Sequence, residues 1–288
     1  VDPGTVIALE APTYIEALRA FRKSGATFVE VKMDDDGIFP ESFEEVAKKH
    51  RPSILYTIPN FQNPSGAVTT VERRKSILDI ARKYGIVILE DDPYRYVSFM
   101  DQVPQSYISL SGGDARVIYL GSFSKLICPG IRCGWMVLPQ AIVKKMTQLR
   151  HTLEISLPAS LQHVVSGFCH QMDREVYFES LQRVYRARRD ALVENLGRTM
   201  VPRGLSMNAP RGGYFLWARL PGIDNMKNFC EYAIKNHGIS VTPGYIFFTE
   251  PGMGADTLRF SYAKVSPEMA VEGSKRLATA YDAYTKGA

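Results

Sequence analysis

Between residues 5 and 122 short, largely apolar runs alternate with amphipathic helical patterns, and few folds accept that alternation. The runs TVIALE (5–10), TFVEVKM (27–33), SILYTIP (53–59), IVILEDD (86–92) and RVIYLGS (116–122) read as strands. YIEALRAFRKSG (14–25), PESFEEVAKKH (40–50) and TVERRKSILDIARKYG (70–85) read as helices, with Gly25 and Gly85 closing the first and last. A strand without a solvent face belongs in a parallel sheet covered by helices on both faces, so the expected fold class is α/β with a mostly parallel sheet. In such sheets a ligand binds at the carboxyl ends of the strands, and polar residues placed there carry the information about function.

After GWMVLP (134–139) the pattern changes. Residues 139–200 are almost entirely helical in pattern; GYFLWARLP (213–221), a helix at MKNFCEYAIKNHG (226–238), ISVTPGYIFF (239–248), TLRFSYAKV (257–265) and a last helix at SPEMAVEGSKRLATAYDAY (266–284) follow. This looser order predicts a smaller α+β domain, with residues 1–165 forming the large unit and 166–288 the small one.

Several function classes are disfavoured by composition. Hydrophobic residues make up 45% and charged residues 23% of the 288 positions, as in globular proteins. The net charge of +5 is spread among acids, as in ERRKSILDIARKYG, so no nucleic-acid face is expected. No apolar run approaches the roughly 20 residues of a membrane helix. Cys128, Cys133, Cys169 and Cys230 form no CxxC pair and are expected to be reduced thiols of a cytoplasmic protein. His50, His151, His163, His170 and His237 fall in no ligand spacing, so no metal is expected.

Three strand ends carry polar clusters: PNFQNPSG (59–66), EDDPYRY (90–96) and SFSK (122–125), the last with Arg132 seven residues beyond its lysine. Taken singly, NPSG is a turn, DDPY a helix N-cap and Lys125 a surface charge. At the ends of successive strands they bring a carboxylate, an amide, a phenol and a lysine to one crevice, and a buried carboxylate near a buried lysine is costly unless a ligand uses both. Pyridoxal phosphate uses both. Its aldehyde needs an amine for a Schiff base, its ring nitrogen an acid, and its ring oxygen and phosphate hydrogen-bond donors.

These motifs, with EAPTY (10–14), GGYFLWARL (212–220) and LRFSYA (258–263), resemble the fold-type I pyridoxal-phosphate aminotransferases of class I/II, in particular the branch of 2-aminoadipate and kynurenine aminotransferases. The resemblance spans essentially the whole chain. It implies that Lys125 is the Schiff-base lysine and that Asp91, three residues before Tyr94, faces the pyridine nitrogen. Tyr94 and Asn63 are implied as donors to the ring oxygen, and Ser122, Ser124 and Arg132 as the phosphate-binding set. Tyr14 is implied to stack on the ring. Arg259, with Asn63, is implied to pair with the substrate carboxylate, where a guanidinium fork suits a planar anion.

The resemblance further implies transfer of an amino group between an α-amino acid and a 2-oxo acid, in a homodimer with sites at the subunit interface. A pyridoxal-phosphate β-lyase and the effector domain of a transcription regulator are the alternatives, since a scaffold does not fix a reaction. Relatives carry, ahead of the point matching Val1, a Gly/Ser-rich loop and helix N-terminus that cradle the phosphate. This chain is therefore expected to be a piece of a longer protein that binds the cofactor poorly alone.

Overall fold

The computed structural model describes residues 1–286 and contains two sheets. The first is built from β1 (Val6–Ala11), β2 (Thr27–Asp34), β3 (Gly37–Ile38), β4 (Ile54–Thr57), β5 (Val87–Asp91), β6 (Val117–Ser122) and β7 (Gly134–Val137). Their order across the sheet is β3-β2-β1-β4-β5-β6-β7. β1, β2, β4, β5 and β6 run parallel; β3 and β7 run antiparallel to their neighbours at the two edges. The helices of this half are α1 (Ile15–Lys23), α2 (Pro40–His50), α3 (Val71–Tyr84) and the short α4 (Tyr107–Leu110).

Side chains alternate between the two faces of a strand, and both faces here are covered. Ala8, Leu55, Ile88 and Val117 pack with Phe43 of α2 and Ile77 of α3. Ile7 and Tyr56 point the other way, toward Ala17 and Phe21 of α1. α3 starts where the Thr70 hydroxyl accepts the Arg73 N–H and stops at Gly85 in the left-handed region. At the β6–β7 edge the Trp135 indole lies over Gly121, where a Cβ would come within 2.1 Å of the ring.

The second half begins with α5 (Gln140–Glu154), α6 (Ala159–Gln171) and α7 (Arg174–Thr199). An antiparallel sheet follows, of β8 (Ser206–Met207), β9 (Phe215–Arg219), β10 (Thr242–Pro243) and β11 (Thr257–Ser261), in the order β10-β11-β9-β8. α8 (Met226–His237) and α9 (Pro267–Lys286) complete it. Its core joins Leu216 and Leu258 of the sheet to Leu196 of α7, Phe229 of α8 and Leu277 of α9.

Two features depart from the sequence reading. GWMVLP, to which the sequence assigned no element, supplies an antiparallel strand at one edge as β3 does at the other, and the sheet between them is parallel as expected. ISVTPGYIFF forms only the two residues of β10 and a 3-10 turn at Gly244–Phe247. Pro243 lacks an N–H to extend the ladder, and at Gly244 a Cβ would fall 1.8 Å from the Thr257 hydroxyl. Among the described residues no helix is long and apolar enough to cross a membrane, and no cluster of His, Cys, Asp and Glu could hold a metal.

One buried cation organises the loops at the strand ends. Arg74 of α3 is fully buried, and its guanidinium donates to the carbonyls of Thr69 (2.9 Å), Gln105 (2.9 Å) and Pro59 (2.9 Å) and to Asn60 Oδ1 (2.7 Å). Arg74→Met leaves those acceptors buried without donors, so urea denaturation should show a loss of about 3 kcal/mol.

Candidate active site

The strand register decides which acid faces which way. Tyr56 on β4 lies opposite Leu89 on β5, so Tyr56, Leu89 and Asp91 share the face toward α1. Glu90 lies opposite Thr57 and Tyr119 and turns to the far face, where it accepts the N–H groups of Tyr107 (2.9 Å) and Ile108 (3.0 Å). Asp92 is also held away: Asn60 donates to its Oδ1 at 2.9 Å, Tyr119 to its Oδ2 at 3.4 Å, and Arg95 pairs with it at 3.5 Å.

Asp91 differs from both. The Tyr56 hydroxyl donates to its Oδ2 at 2.7 Å, and its Oδ1 takes no hydrogen bond among the described residues. Burial first, then repulsion from Asp92, push its pKa up to about 6, against the lowering effect of the Tyr56 bond.

Lys125 follows β6 in the turn that leads to β7. Its side chain is half-buried, and its amine has no hydrogen-bond or ion-pair partner among the described residues. Burial, and secondarily the Arg132 charge, lower its pKa, which favours the neutral nucleophilic amine. The backbone beneath it is clamped from the second half of the chain: Tyr214 donates to the Lys125 carbonyl at 2.9 Å and Tyr177 of α7 to the Leu126 carbonyl at 2.5 Å.

Arg259, opposite Trp217 in the β11–β9 ladder, reaches across from the second sheet. One of its terminal nitrogens donates to Asn63 Oδ1 at 2.9 Å, and its guanidinium lies over Phe215 (4.2 Å) and Phe247 (4.8 Å). Its Nε is buried without a partner. The Asn63 amide in turn donates to the Tyr94 hydroxyl at 3.4 Å, and Tyr94 packs edge-on against Tyr214. Burial raises the Tyr94 pKa, so its hydroxyl stays protonated. Tyr14, half-buried just before α1, lies in the fields of Asp91, Arg259 and Arg132.

Arg259, Asn63, Tyr94 and, through Tyr214, the Lys125 turn thus form one connected set, with Asp91 and Tyr14 beside it. The remaining three residues are less tightly joined. Ser122 Oγ accepts the Ser124 N–H at 3.1 Å. Arg132 has a left-handed backbone (φ 48°) and an exposed side chain whose guanidinium reaches the Pro129 carbonyl at 3.4 Å; among the described residues it bonds neither serine. Sequence reasoning did not single out Tyr56, Tyr177, Tyr214 or Glu10. Two of them left a signal: Tyr56 stands on the Asp91 face of its strand, and Glu10 is a charge at the end of an apolar run.

Three groups lack protein partners here: a lysine amine, one oxygen of a half-buried aspartate, and a buried arginine Nε. A ligand that offers an aldehyde, a protonated ring nitrogen and an anion satisfies all three, so the residues fit pyridoxal phosphate with an amino-acid substrate.

Comparisons with known proteins agree. A 2-aminoadipate transaminase of Thermus thermophilus is 36% identical over 285 residues, covering 97% of this chain and 70% of that protein. The mitochondrial kynurenine/alpha-aminoadipate aminotransferase of Bos taurus is 31% identical, over 96% of this chain and 68% of its own length. The crystal structure of an alpha-aminoadipate aminotransferase of Thermus thermophilus, complexed with N-(5'-phosphopyridoxyl)-L-leucine, superposes with a TM-score of 0.94 at 33% identity, covering 100% of this chain and 74% of that one. The mixed sheet with its helices is thus the fold-type I architecture that the sequence motifs resemble. The family model described as "Aminotransferase class I and II" matches residues 1–277; this chain belongs to that family and is a pyridoxal-phosphate-dependent aminotransferase, which moves an amino group between an α-amino acid and a 2-oxo acid.

Proposed function

We propose that Lys125 is the residue to which the cofactor is bound and the acid–base group of the transfer, with Asp91, Tyr94, Asn63 and Arg259 as its working partners. The observation that carries this reading is the unpartnered Lys125 amine at the end of β6, in the same crevice as an aspartate with one free oxygen and an arginine with an unpaired Nε. When bound, pyridoxal phosphate supplies an aldehyde for amines and a ring that withdraws electrons from the substrate α-carbon.

The protein's own groups do the rest. Lys125 Nζ, favoured in its neutral form by burial and by Arg132, takes the proton from the substrate α-carbon and delivers it to the adjacent acceptor carbon. Asp91, ionised above about pH 6, keeps a proton on the ring nitrogen through its free oxygen. Tyr94 and Asn63 donate to the ring oxygen, and Tyr14 lies against the ring. Ser122, Ser124 and Arg132 hold the phosphate. Arg259 grips the substrate carboxylate from the second sheet, with Asn63 fixing the guanidinium plane, and so orients the bond to be broken.

We further infer a cytoplasmic homodimer acting on small amino and 2-oxo acids. Four free cysteines suit a reducing compartment. An exposed apolar face, with Met136 and Val137 on β7 and Leu149 and Leu153 on α5, begins beside Arg132 and is a surface that a second subunit would cover.

Four outcomes follow, each read on the full-length enzyme. Lys125→Ala should lose the visible absorbance of lysine-bound cofactor and all turnover, while circular dichroism stays that of the parent; turnover in that variant sinks the assignment. Asp91→Asn should retain cofactor yet slow α-proton exchange by several orders of magnitude, whereas Asp92→Asn, distant from the ring, should act on stability. In the parent, uptake of pyridoxal phosphate by the cofactor-free enzyme should weaken as pH drops through about 6, because the raised Asp91 pKa means that the ionised partner of the ring nitrogen exists only above it. Light scattering should give the mass of a dimer, and an active monomer would overturn the shared-site reading.

A further inference from the structure

We propose that Tyr56 is a positioning residue for this reaction: its hydroxyl holds one oxygen of Asp91, turns the other toward the ring nitrogen, and supports that carboxylate where no cationic side chain pairs with it. The inference rests on the assignment of Asp91 made above.

The geometry is specific. The Tyr56 hydroxyl donates to Asp91 Oδ2 at 2.7 Å, its one hydrogen bond among the described residues. The side chain stands on β4, almost fully buried (2% exposed), and Phe21 of α1 packs edge-on against its ring at 5.6 Å. An aromatic ring gripped on a strand fixes the hydroxyl, and the hydroxyl then fixes the rotation of the carboxylate about its Cβ–Cγ bond.

The charge environment explains why this donor matters. Asp91 forms no ion pair among the described residues. The titratable groups around it are Glu10 at the end of β1, Tyr14 before α1, Asp92 just past the end of β5 and Tyr94 beyond it. The acids repel a second negative charge, and the phenols are neutral. Arg132 and Arg259 act on Tyr14 rather than on Asp91. Among the protein's own groups, Tyr56 is thus the one that favours the ionised form against burial and repulsion. Its own pKa is raised well above the usual phenol value by burial first and by Asp91, so it remains a donor throughout the working range.

The sign follows. Removing a donor from an ionised carboxylate raises the carboxyl pKa further, so the proton on the ring nitrogen loses its partner at higher pH. Tyr56→Phe keeps the ring against Phe21 and deletes only the hydroxyl. The experiment compares parent, Tyr56→Phe, Asp91→Asn and the double variant as holoenzymes, measuring pyridoxal phosphate retention on dialysis and the kcat/KM profile over a range of pH. Tyr56→Phe should move the acid limb of both upward by about one pH unit, a roughly tenfold loss on that limb with little change above it. Asp91→Asn should abolish the limb, and adding Tyr56→Phe to it should change nothing more.

A more acidic donor tests the opposite direction without risk to the fold: fluorotyrosine at position 56 should move the limb to lower pH. An unmoved limb in Tyr56→Phe, or a loss equal at all pH that persists in the Asp91→Asn background, overturns the inference and leaves Asp91 in place. An Asp91→Asn enzyme indistinguishable from the parent overturns the assignment beneath it as well.

Discussion

Glu10 is an acid without solvent, and the site is arranged around the donors that make it tolerable. The Thr57 hydroxyl reaches it at 2.5 Å, the Ile58 N–H at 3.2 Å and the Gln62 amide at 2.9 Å. Burial still lifts its pKa to about 7, which measures how costly the position is. What the cost sustains is the course of residues 58–63. Gln62 is tied to Glu10 and to the Pro12 carbonyl, while Arg74 holds Pro59 and Asn60 from the other side. Asn63 is thereby delivered to Arg259, the contact through which the two sheets meet at the crevice. A satisfied buried network of this kind specifies a single arrangement rather than adding much stability.

Three consecutive acids at the end of β5 show how the pleat of a strand divides labour. Glu90 and Asp92 turn to backbone donors, amides, a phenol and an arginine, and are spent on structure. Asp91 turns the other way and is left half-satisfied. The chemistry proposed above is assigned to the carboxylate that the fold leaves half-free.

Much of this was legible in the sequence. Fully apolar strands gave the parallel core, and the clusters after β4, β5 and β6 marked the crevice because parallel strands end on one side. The resemblance implied Asp91, three residues before Tyr94, and the pleat sets Asp91 on the face opposite to that of Glu90 and Asp92. Other parts were not legible for identifiable reasons. β7 runs antiparallel because the loop between Ser122 and Gly134, with its single 3-10 turn, is too short for a helical crossover, and an apolar tetrapeptide carries no direction. β10 is cut short by Pro243 and by a contact at Gly244 that only the folded neighbours Thr257 and Trp217 impose. The tyrosines 56, 177 and 214 act through hydroxyls whose partners are far away in the chain, and in sequence they read as core aromatics. Ser122, Ser124 and Arg132 have a recognisable spacing, yet the described residues join them by a single backbone contact.

The clamp on the Lys125 turn has a mechanical consequence. Tyr177 and Tyr214 bond two successive carbonyls of that turn from a helix and a segment that pack with the other sheet. The Lys125 turn therefore cannot fray alone: to open, it must break hydrogen bonds to residues of the second half of the chain. Its local unfolding is coupled to that half, and slow amide exchange around Leu126 would report the integrity of a sheet to which the turn does not belong. Any hinge or shear between the halves likewise moves the lysine backbone with it, so the amine travels with Arg259.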